Sequence, residues 1–251
     1  MNKNDSITLI VPSYNEETNI QKGVLDKIGN YTADDRRFSE VLIVDDGSTD
    51  KTRRIIKERY LNEFPKFRLI AAPHKGKAFA IIRGIQEAKG DYVMFTDIDL
   101  ATPIEEAEKL IKEAEKGYLV VIGGRVSGRK GAPLTRKLLA YGFIHIRNML
   151  FGLQKIRDTQ CGFKLFETKA AREIISNLKV FNSGAEIAGP SVSAAFDLEF
   201  LFVASRLGID IKEVPVTWRH VETKNVNFIR DSIETVRDLM KIKYAHSRFA
   251  R

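Results

Sequence analysis

Two kinds of segment alternate through the first half of the chain. Short, continuous apolar runs are followed by stretches in which apolar side chains recur every three or four residues. The runs Ile7–Val11, Val41–Asp45, Arg68–Ala72, Tyr92–Thr96 and Leu119–Gly123 predict strands. Between them, Glu16–Ile28, Thr49–Glu63, Lys77–Ala88 and Pro103–Lys116 predict helices. A proline opens the last of these, where its missing N–H is one of the helix's unpaired donors anyway. Strands that are apolar on both faces belong to a parallel sheet covered on both sides by helices. The predicted fold is therefore α/β and mostly parallel, with ligands expected beyond the carboxyl ends of the strands.

The second half is less regular. Leu134–Phe151 and Phe196–Leu207 predict helices, and Gly162–Phe166 and Ile211–Trp218 predict strands. Asn182–Ser193 is rich in small residues and predicts a mobile loop. Beyond it, Val226, Ile229, Ile233, Val236 and Met240 follow helical spacing, which predicts an amphipathic helix. The organisation expected is a main domain over 1–220 and a basic amphipathic helix over 221–251.

Charge adds a constraint. The 251 residues carry a net charge of +8, which favours an anionic partner: nucleic acid, an anionic membrane surface or a phosphorylated substrate. The basic residues are interleaved with acidic ones, and no RNP, helix-turn-helix or zinc-finger pattern occurs, so nucleic acid is not expected. A single cysteine, Cys161, excludes an intramolecular disulfide and a Cys-rich zinc site and suits a reducing, cytoplasmic setting. Ile7–Val11 is too short for a signal-peptide core, and no apolar run reaches membrane-spanning length. Contact with a membrane is therefore expected to be peripheral. Arg230, Arg237, Lys241 and Lys243 flank the apolar positions of the last helix, with Arg248 and Arg251 beyond. Such a helix suits an anionic lipid interface, or it packs on the domain or in a homodimer.

Carboxylates gather at three strand ends: PSYNEE (Pro12 to Glu17), VDDGSTD (Val44 to Asp50) and DIDLATP (Asp97 to Pro103). Helix N-capping accounts for Ser48, Thr49 and Thr102. It does not account for Asp45 with Asp46, or Asp97 with Asp99. In an extended segment residues i and i+2 point the same way, and two such carboxylates repel unless a cation lies between them. A hard divalent ion, Mg²⁺ or Mn²⁺, takes one or two carboxylates together with substrate phosphate oxygens. Lys75 and Lys77 read equally well as a solvated loop, and capping competes for Asp197. Trp218 is expected in the core, Cys161 as a buried small residue. The four histidines show no ligand spacing.

With HKGKAFAIIRGIQEAKG (His74 to Gly90) between them, these segments resemble the family 2 glycosyltransferases, inverting enzymes of the GT-A fold. GGRVSGRKGAPLTRK (Gly123 to Lys137), DTQCGFKLF (Asp158 to Phe166), AFDLEFLF (Ala195 to Phe202) and EVPVTW (Glu213 to Trp218) are similar to the polyprenyl-phosphate sugar synthases, above all their glucosyl branch. The resemblance implies a Rossmann-like sheet and metal-dependent transfer of a hexose from a nucleotide sugar to a polyprenyl, dolichyl-type phosphate. It implies Pro12, Tyr14, Glu16, Asp45, Asp46 and Lys75 around the nucleotide, and Asp97 and Asp99 on the metal and sugar diphosphate. Arg125, Arg136, Gln160 and Lys164 fall on the acceptor side. The resemblance implies Asp99, Asp197 and Arg125 as the catalytic residues, Asp197 being the base if the acceptor is a glycan hydroxyl. Mannosyl relatives place Gln where this chain has Ala101, which favours UDP-glucose over GDP-mannose. The eukaryotic relatives of the glucosyl branch carry an N-terminal anchor, and none is expected in this sequence.

Overall fold

The computed structural model describes residues 1–2, 4–125, 134–181, 194–219 and 228–247, with backbone alone for 134–141, 143, 194, 228–236 and 238. The loop expected at Asn182–Ser193, and Val226, Arg248 and Arg251, lie outside the described residues. So do the side chains of Arg136, Ile229, Arg230, Ile233 and Val236.

Strands β1 (Ile7–Ser13) and β2 (Phe38–Asp46) are separated by helices α1 (Glu17–Gln21) and α2 (Val24–Asp34). The sequence predicted one helix here. Gly23 divides it by taking φ 76°, a left-handed conformation that is cheap only for glycine. The next predicted helix begins as α3 (Thr52–Ile55), passes through a π-helical turn (Ile56–Tyr60) and ends as α4 (Leu61–Glu63). Then come β3 (Phe67–Ala72), α5 (Lys77–Glu87), β4 (Tyr92–Phe95), a 3₁₀ turn (Ile104–Glu106), α6 (Ala107–Glu115) and β5 (Val120–Arg125). The chain continues through α7 (Leu134–Phe151), β6 (Lys164–Glu167), α8 (Thr168–Ser176), α9 (Ala194–Arg206), β7 (Ile211–Val216) and α10 (Phe228–Ser247). Helix α8 is absent from the sequence-based prediction.

The seven strands form one sheet in the order β3-β2-β1-β4-β6-β5-β7. β1, β2, β3 and β4 run parallel, as do β5 and β7, whereas β6 is antiparallel to both β4 and β5. That reversal matters for the site. The start of β6 lies beside the carboxyl ends of its neighbours, with Lys164 opposite Phe95 and Ile122. The DTQCGFK segment is thus delivered to the same edge as the acidic strand ends.

Alternate strand residues feed two apolar layers. Ile10, Val44, Val93 and Ile122 pack on one side with α5, α8 and α9, and Leu9, Ile43, Met94 and Val121 on the other with α2 and α6. Both faces are dry, which is why the strand sequences read as unbroken apolar runs. Leu239 and Ile242 of α10 join the first layer. Lys243 Nζ donates to the Leu150 carbonyl at 2.8 Å, and His246 meets Glu199 at 2.8 Å. The last turns of this helix are therefore seated on the domain. Among the described residues no helix is long and apolar enough to cross a membrane.

Candidate active site

The carboxyl ends of β1 and β2 are laced together. Asn15, at φ 53°, accepts from the backbone N–H of Thr49 at 2.8 Å and donates its own N–H to Ser48 Oγ at 2.9 Å. The Glu16 N–H donates to Thr52 Oγ1 at 2.7 Å. Ser48 and Thr49 thus join two loops instead of capping α3. That role falls to Asp50, whose carboxylate accepts the Thr52 N–H at 2.9 Å. Thr102 is likewise not a cap: Pro103 precedes the 3₁₀ turn and no side chain caps it.

Within this frame Asp45 is fully buried and accepts from Arg53 Nε at 2.8 Å and Nη2 at 2.5 Å. Its other oxygen, Oδ1, and the hydroxyl of its register partner Ser13 are buried with no hydrogen-bond partner among the described residues. Buried polar atoms are rarely left so, and these two lie side by side in register at the carboxyl ends of β1 and β2. Asp46 accepts from the backbone N–H groups of Lys75 at 2.9 Å and Gly76 at 2.8 Å, and meets His74 Nδ1 at 2.8 Å. The His74 ring stacks on Tyr14, centroids 4.0 Å apart. Glu16 is held by Asn19 at 2.6 Å, and Pro12 is a buried residue of β1. Three of the residues expected around a nucleotide, Tyr14, Asp46 and Lys75, are thus tied through His74 and the Asp46 carboxylate into one network, and Asp45 stands next to it on Arg53. His74 is a member that its sequence position did not reveal.

The segment after β4 is a turn, not an extended strand. The Leu100 N–H donates to the Asp97 carbonyl at 3.1 Å, Leu100 has φ 50°, and Ile98 is buried between the two aspartates. The alternation expected for an extended segment therefore does not apply, yet the carboxylates still feel one another. Burial pushes the Asp99 carboxyl above the usual range, and the Asp97 charge adds to this against the Ala101 N–H and Lys77. Asp97 is ion-paired to Lys77. Burial alone would lower the Lys77 ammonium, but Asp97, Asp197 and Asp99 together hold it above its ordinary value. Lys77 is therefore part of the acidic cluster, not of a solvated loop. Gly162 presses on Asp97, where a methyl group would stand 2.7 Å from Cγ and nearer still to Oδ2.

Among the described residues no group of three or more His, Cys, Asp or Glu could by itself hold a metal ion. Two carboxylates do fit a hard divalent cation that completes its shell with phosphate oxygens and water. The burial of the Asp99 carboxylate, with the Asp97 charge beside it, is what such a cation would offset.

At the end of β5, Arg125, its last residue, forks onto Asp158, Nε to Oδ2 at 2.5 Å and Nη2 to Oδ1 at 2.8 Å. Despite burial, this pairing holds the Asp158 carboxyl below the usual range and the Arg125 guanidinium above it. The Arg125 guanidinium also lies 5.7 Å from the Trp218 ring centre. Trp218 is half-buried at this edge instead of in the core. The Gln160 N–H donates to Asp158 at 3.0 Å. Lys164 does not present its ammonium to an acceptor: it is 1% exposed and bonds Asp197 at 2.6 Å and the Cys161 carbonyl at 2.5 Å. Asp197 thus has a cationic partner. Glu199 is turned away from the cluster and accepts the N–H groups of Lys179, Val180 and Phe181 at 2.7, 3.0 and 3.0 Å. Cys161 is buried, and that burial pushes its thiol up, which fits a packing residue.

An acidic network thus lies at the mouth of a mostly parallel sheet, with an arginine–carboxylate pair at the end of β5 on the same edge. Residues 8–175 match glycosyl transferase family 2, and the chain belongs to that family. It is 36% identical to dolichyl-phosphate beta-glucosyltransferase ALG5A of Trichomonas vaginalis, over 96% of this chain and 73% of that protein. The dolichyl-phosphate beta-glucosyltransferase of Saccharomyces cerevisiae is 32% identical over 96% of this chain and 75% of its own, and that of Homo sapiens 32% over 94% and 74%. Among solved structures, glucosyl-3-phosphoglycerate synthase from Mycobacterium tuberculosis with Mn²⁺, UDP-glucose and phosphoglyceric acid superposes with TM-score 0.69 at 21% identity, over 96% of this chain and 80% of that one. Mannosyl-3-phosphoglycerate synthase from Rubrobacter xylanophilus gives 0.67 at 16% identity, over 98% and 76%. The last two share the fold.

Proposed function

We propose that the protein transfers glucose from UDP-glucose to a polyprenyl phosphate of the dolichyl type, with inversion and with Mg²⁺ or Mn²⁺. The observation that carries this reading is the similarity, over nearly the whole chain, to dolichyl-phosphate beta-glucosyltransferases. The site's chemistry supports it. Asp97 and Asp99 would hold the cation, which acts as a Lewis acid on the leaving diphosphate. Ser13 and Asp45 offer the base and ribose two polar atoms that lack a partner, and Tyr14 with His74 offers a stacking surface.

For the acceptor, Arg125 supplies a planar fork of donors suited to phosphate, already oriented by Asp158. Arg136 follows in the same segment. A phosphate dianion attacks without surrendering a proton, so no base is required of this chain. Asp197, bonded to Lys164, then acts as a fixed charge near Lys77 and not as a proton acceptor. At the surface, Met149 of α7 and Met240 and Tyr244 of α10 are 71%, 56% and 59% exposed. Exposed Arg237, Lys241 and Lys243 accompany them. An anionic cytoplasmic membrane face fits this mixture of apolar and basic side chains, and would bring the lipid phosphate to the site.

Thermal unfolding in the presence of nucleotides tests the donor. UDP with Mn²⁺ should raise the unfolding temperature because it binds only the folded chain, and removing the ion should abolish most of the gain. Stabilisation by GDP in place of UDP would overturn the choice of donor.

A further inference from the structure

One carboxylate outside the expected site is built into the loop that carries Asp158. Glu213 lies on β7, which pairs in parallel with β5 so that Glu213 is opposite Ile122. Its side chain reaches across the strand. Oε2 accepts the Arg157 N–H at 2.8 Å and Oε1 accepts the Asp158 N–H at 2.9 Å. The path it takes is open because residue 124 is glycine: a methyl group there would stand 2.5 Å from Glu213 Oε1 and 3.0 Å from its Cδ and Cγ. From the other side, the fully buried Arg147 of α7 donates to the Ile156 carbonyl and, at 3.4 Å, to the Arg157 carbonyl. The peptide groups around Arg157 are thus gripped through their N–H groups by an anion and through their carbonyls by a cation. The next side chain along is Asp158, which takes the Nε–H and one Nη2–H of the five N–H donors of Arg125, and also its backbone N–H at 3.2 Å.

We propose that Glu213, with Gly124 as the gap that admits it, is a positioning residue that fixes the Arg125 fork for the acceptor phosphate. The inference rests on the acceptor reading given above. Arg125 and Asp158 are 33 residues apart, so their geometry depends on the loop being pinned. A guanidinium free to turn would meet a phosphate through one donor in place of two. Glu213 touches no reacting atom. Its effect should fall on the acceptor and spare the nucleotide, which is bound at the far end of the sheet edge by β1 and β2.

The test combines Glu213→Gln, Gly124→Ala and the double variant, with three readouts. A glutamine offers one acceptor where two are needed. The methyl of Gly124→Ala pushes the unchanged carboxylate off the loop. Each single variant should raise the acceptor KM about ten-fold, the scale of one charge-assisted hydrogen bond, with the UDP-glucose KM unchanged. The double variant should be no worse than either single one, because both break the same contact. Hydrogen exchange at the Arg157 and Asp158 amides should accelerate in all three, and this reads the clamp whatever the acceptor is. If wild-type protein fails to turn over a polyprenyl phosphate, the acceptor reading fails while the exchange result still judges the clamp. Unchanged exchange, equal loss of donor and acceptor affinity, or additive effects in the double variant would each overturn the proposal.

Discussion

Gly162→Ala separates the stability of this fold from its chemistry. The added methyl would lie 2.7 Å from Asp97 Cγ and 2.9 Å from Oδ1. Carbon atoms rest at about 3.5–4.0 Å, so the Asp97 carboxyl group must retreat by roughly 1 Å. It has somewhere to go, since its side chain is 39% exposed. The stability cost should accordingly be small, because the moving group swings into solvent and leaves no cavity. Its consequence for catalysis should be large. A misplacement of about 1 Å at a reacting centre costs on the order of 10²-fold in rate, and here the displaced group is one of two proposed metal ligands. The assay is sugar transfer measured across a Mn²⁺ titration, beside thermal unfolding of the same samples. The expected result is a fall in turnover of about 10²-fold and weaker Mn²⁺ dependence at nearly unchanged unfolding temperature. A variant that turns over like wild type would refute the placement of Asp97 at the metal. Parallel collapse of stability and activity would refute the claim that the side chain can yield.

Three further outcomes follow from the same geometry. Asp99→Ala should abolish turnover while leaving the fold intact by circular dichroism, and retained activity would remove the metal assignment. Ser13→Ala deletes a hydroxyl that has no partner among the described residues, so unfolding should be unaffected while UDP affinity, read by calorimetry, falls several-fold. Unchanged affinity would argue against a nucleotide at that position. Burial pushes the Glu199 carboxyl up, but His246 and the three backbone N–H groups outweigh it and hold the group below its ordinary 4.5. A carboxyl lowered in the folded state contributes stability above about its unfolded value and loses it as pH falls through the folded one. Urea unfolding between pH 7 and pH 3 should therefore show a loss of stability below about pH 4.5 that Glu199→Gln flattens. An identical pH slope in the variant would contradict this.

Most of the sheet was readable in the sequence because a strand dry on both faces leaves an unbroken apolar run: Ile7–Val11, Val41–Asp45 and Leu119–Gly123 each mark the strand that forms. Local backbone choices were less readable. Gly23 splits one predicted helix at a single positive φ, and a π-turn interrupts another, neither of which disturbs the apolar spacing. The acidic strand ends were visible as clusters, and the structure brings Asp45, Asp46, Asp97 and Asp99 to one edge. Their exact surroundings depended on partners distant in the chain. The Ser48 hydroxyl answers to Asn15, Lys164 turns inward to Asp197, and Arg125 finds Asp158 and Trp218. Asp158 did carry a signal, as the first residue of DTQCGFK. Glu213 likewise opens EVPVTW. His74 carried none beyond its place shortly before α5, because ring stacking on Tyr14 depends on the ends of β1 and β3 flanking β2 in the sheet.

The most direct measurement is to follow labelled sugar from UDP-glucose into the organic phase when the protein is mixed with dolichyl phosphate and Mn²⁺. The account predicts metal-dependent transfer of label to the lipid, lost on chelation and lost in Asp99→Ala. Label that stays in water-soluble glycan, or reaches the lipid undiminished without a divalent ion, would contradict it.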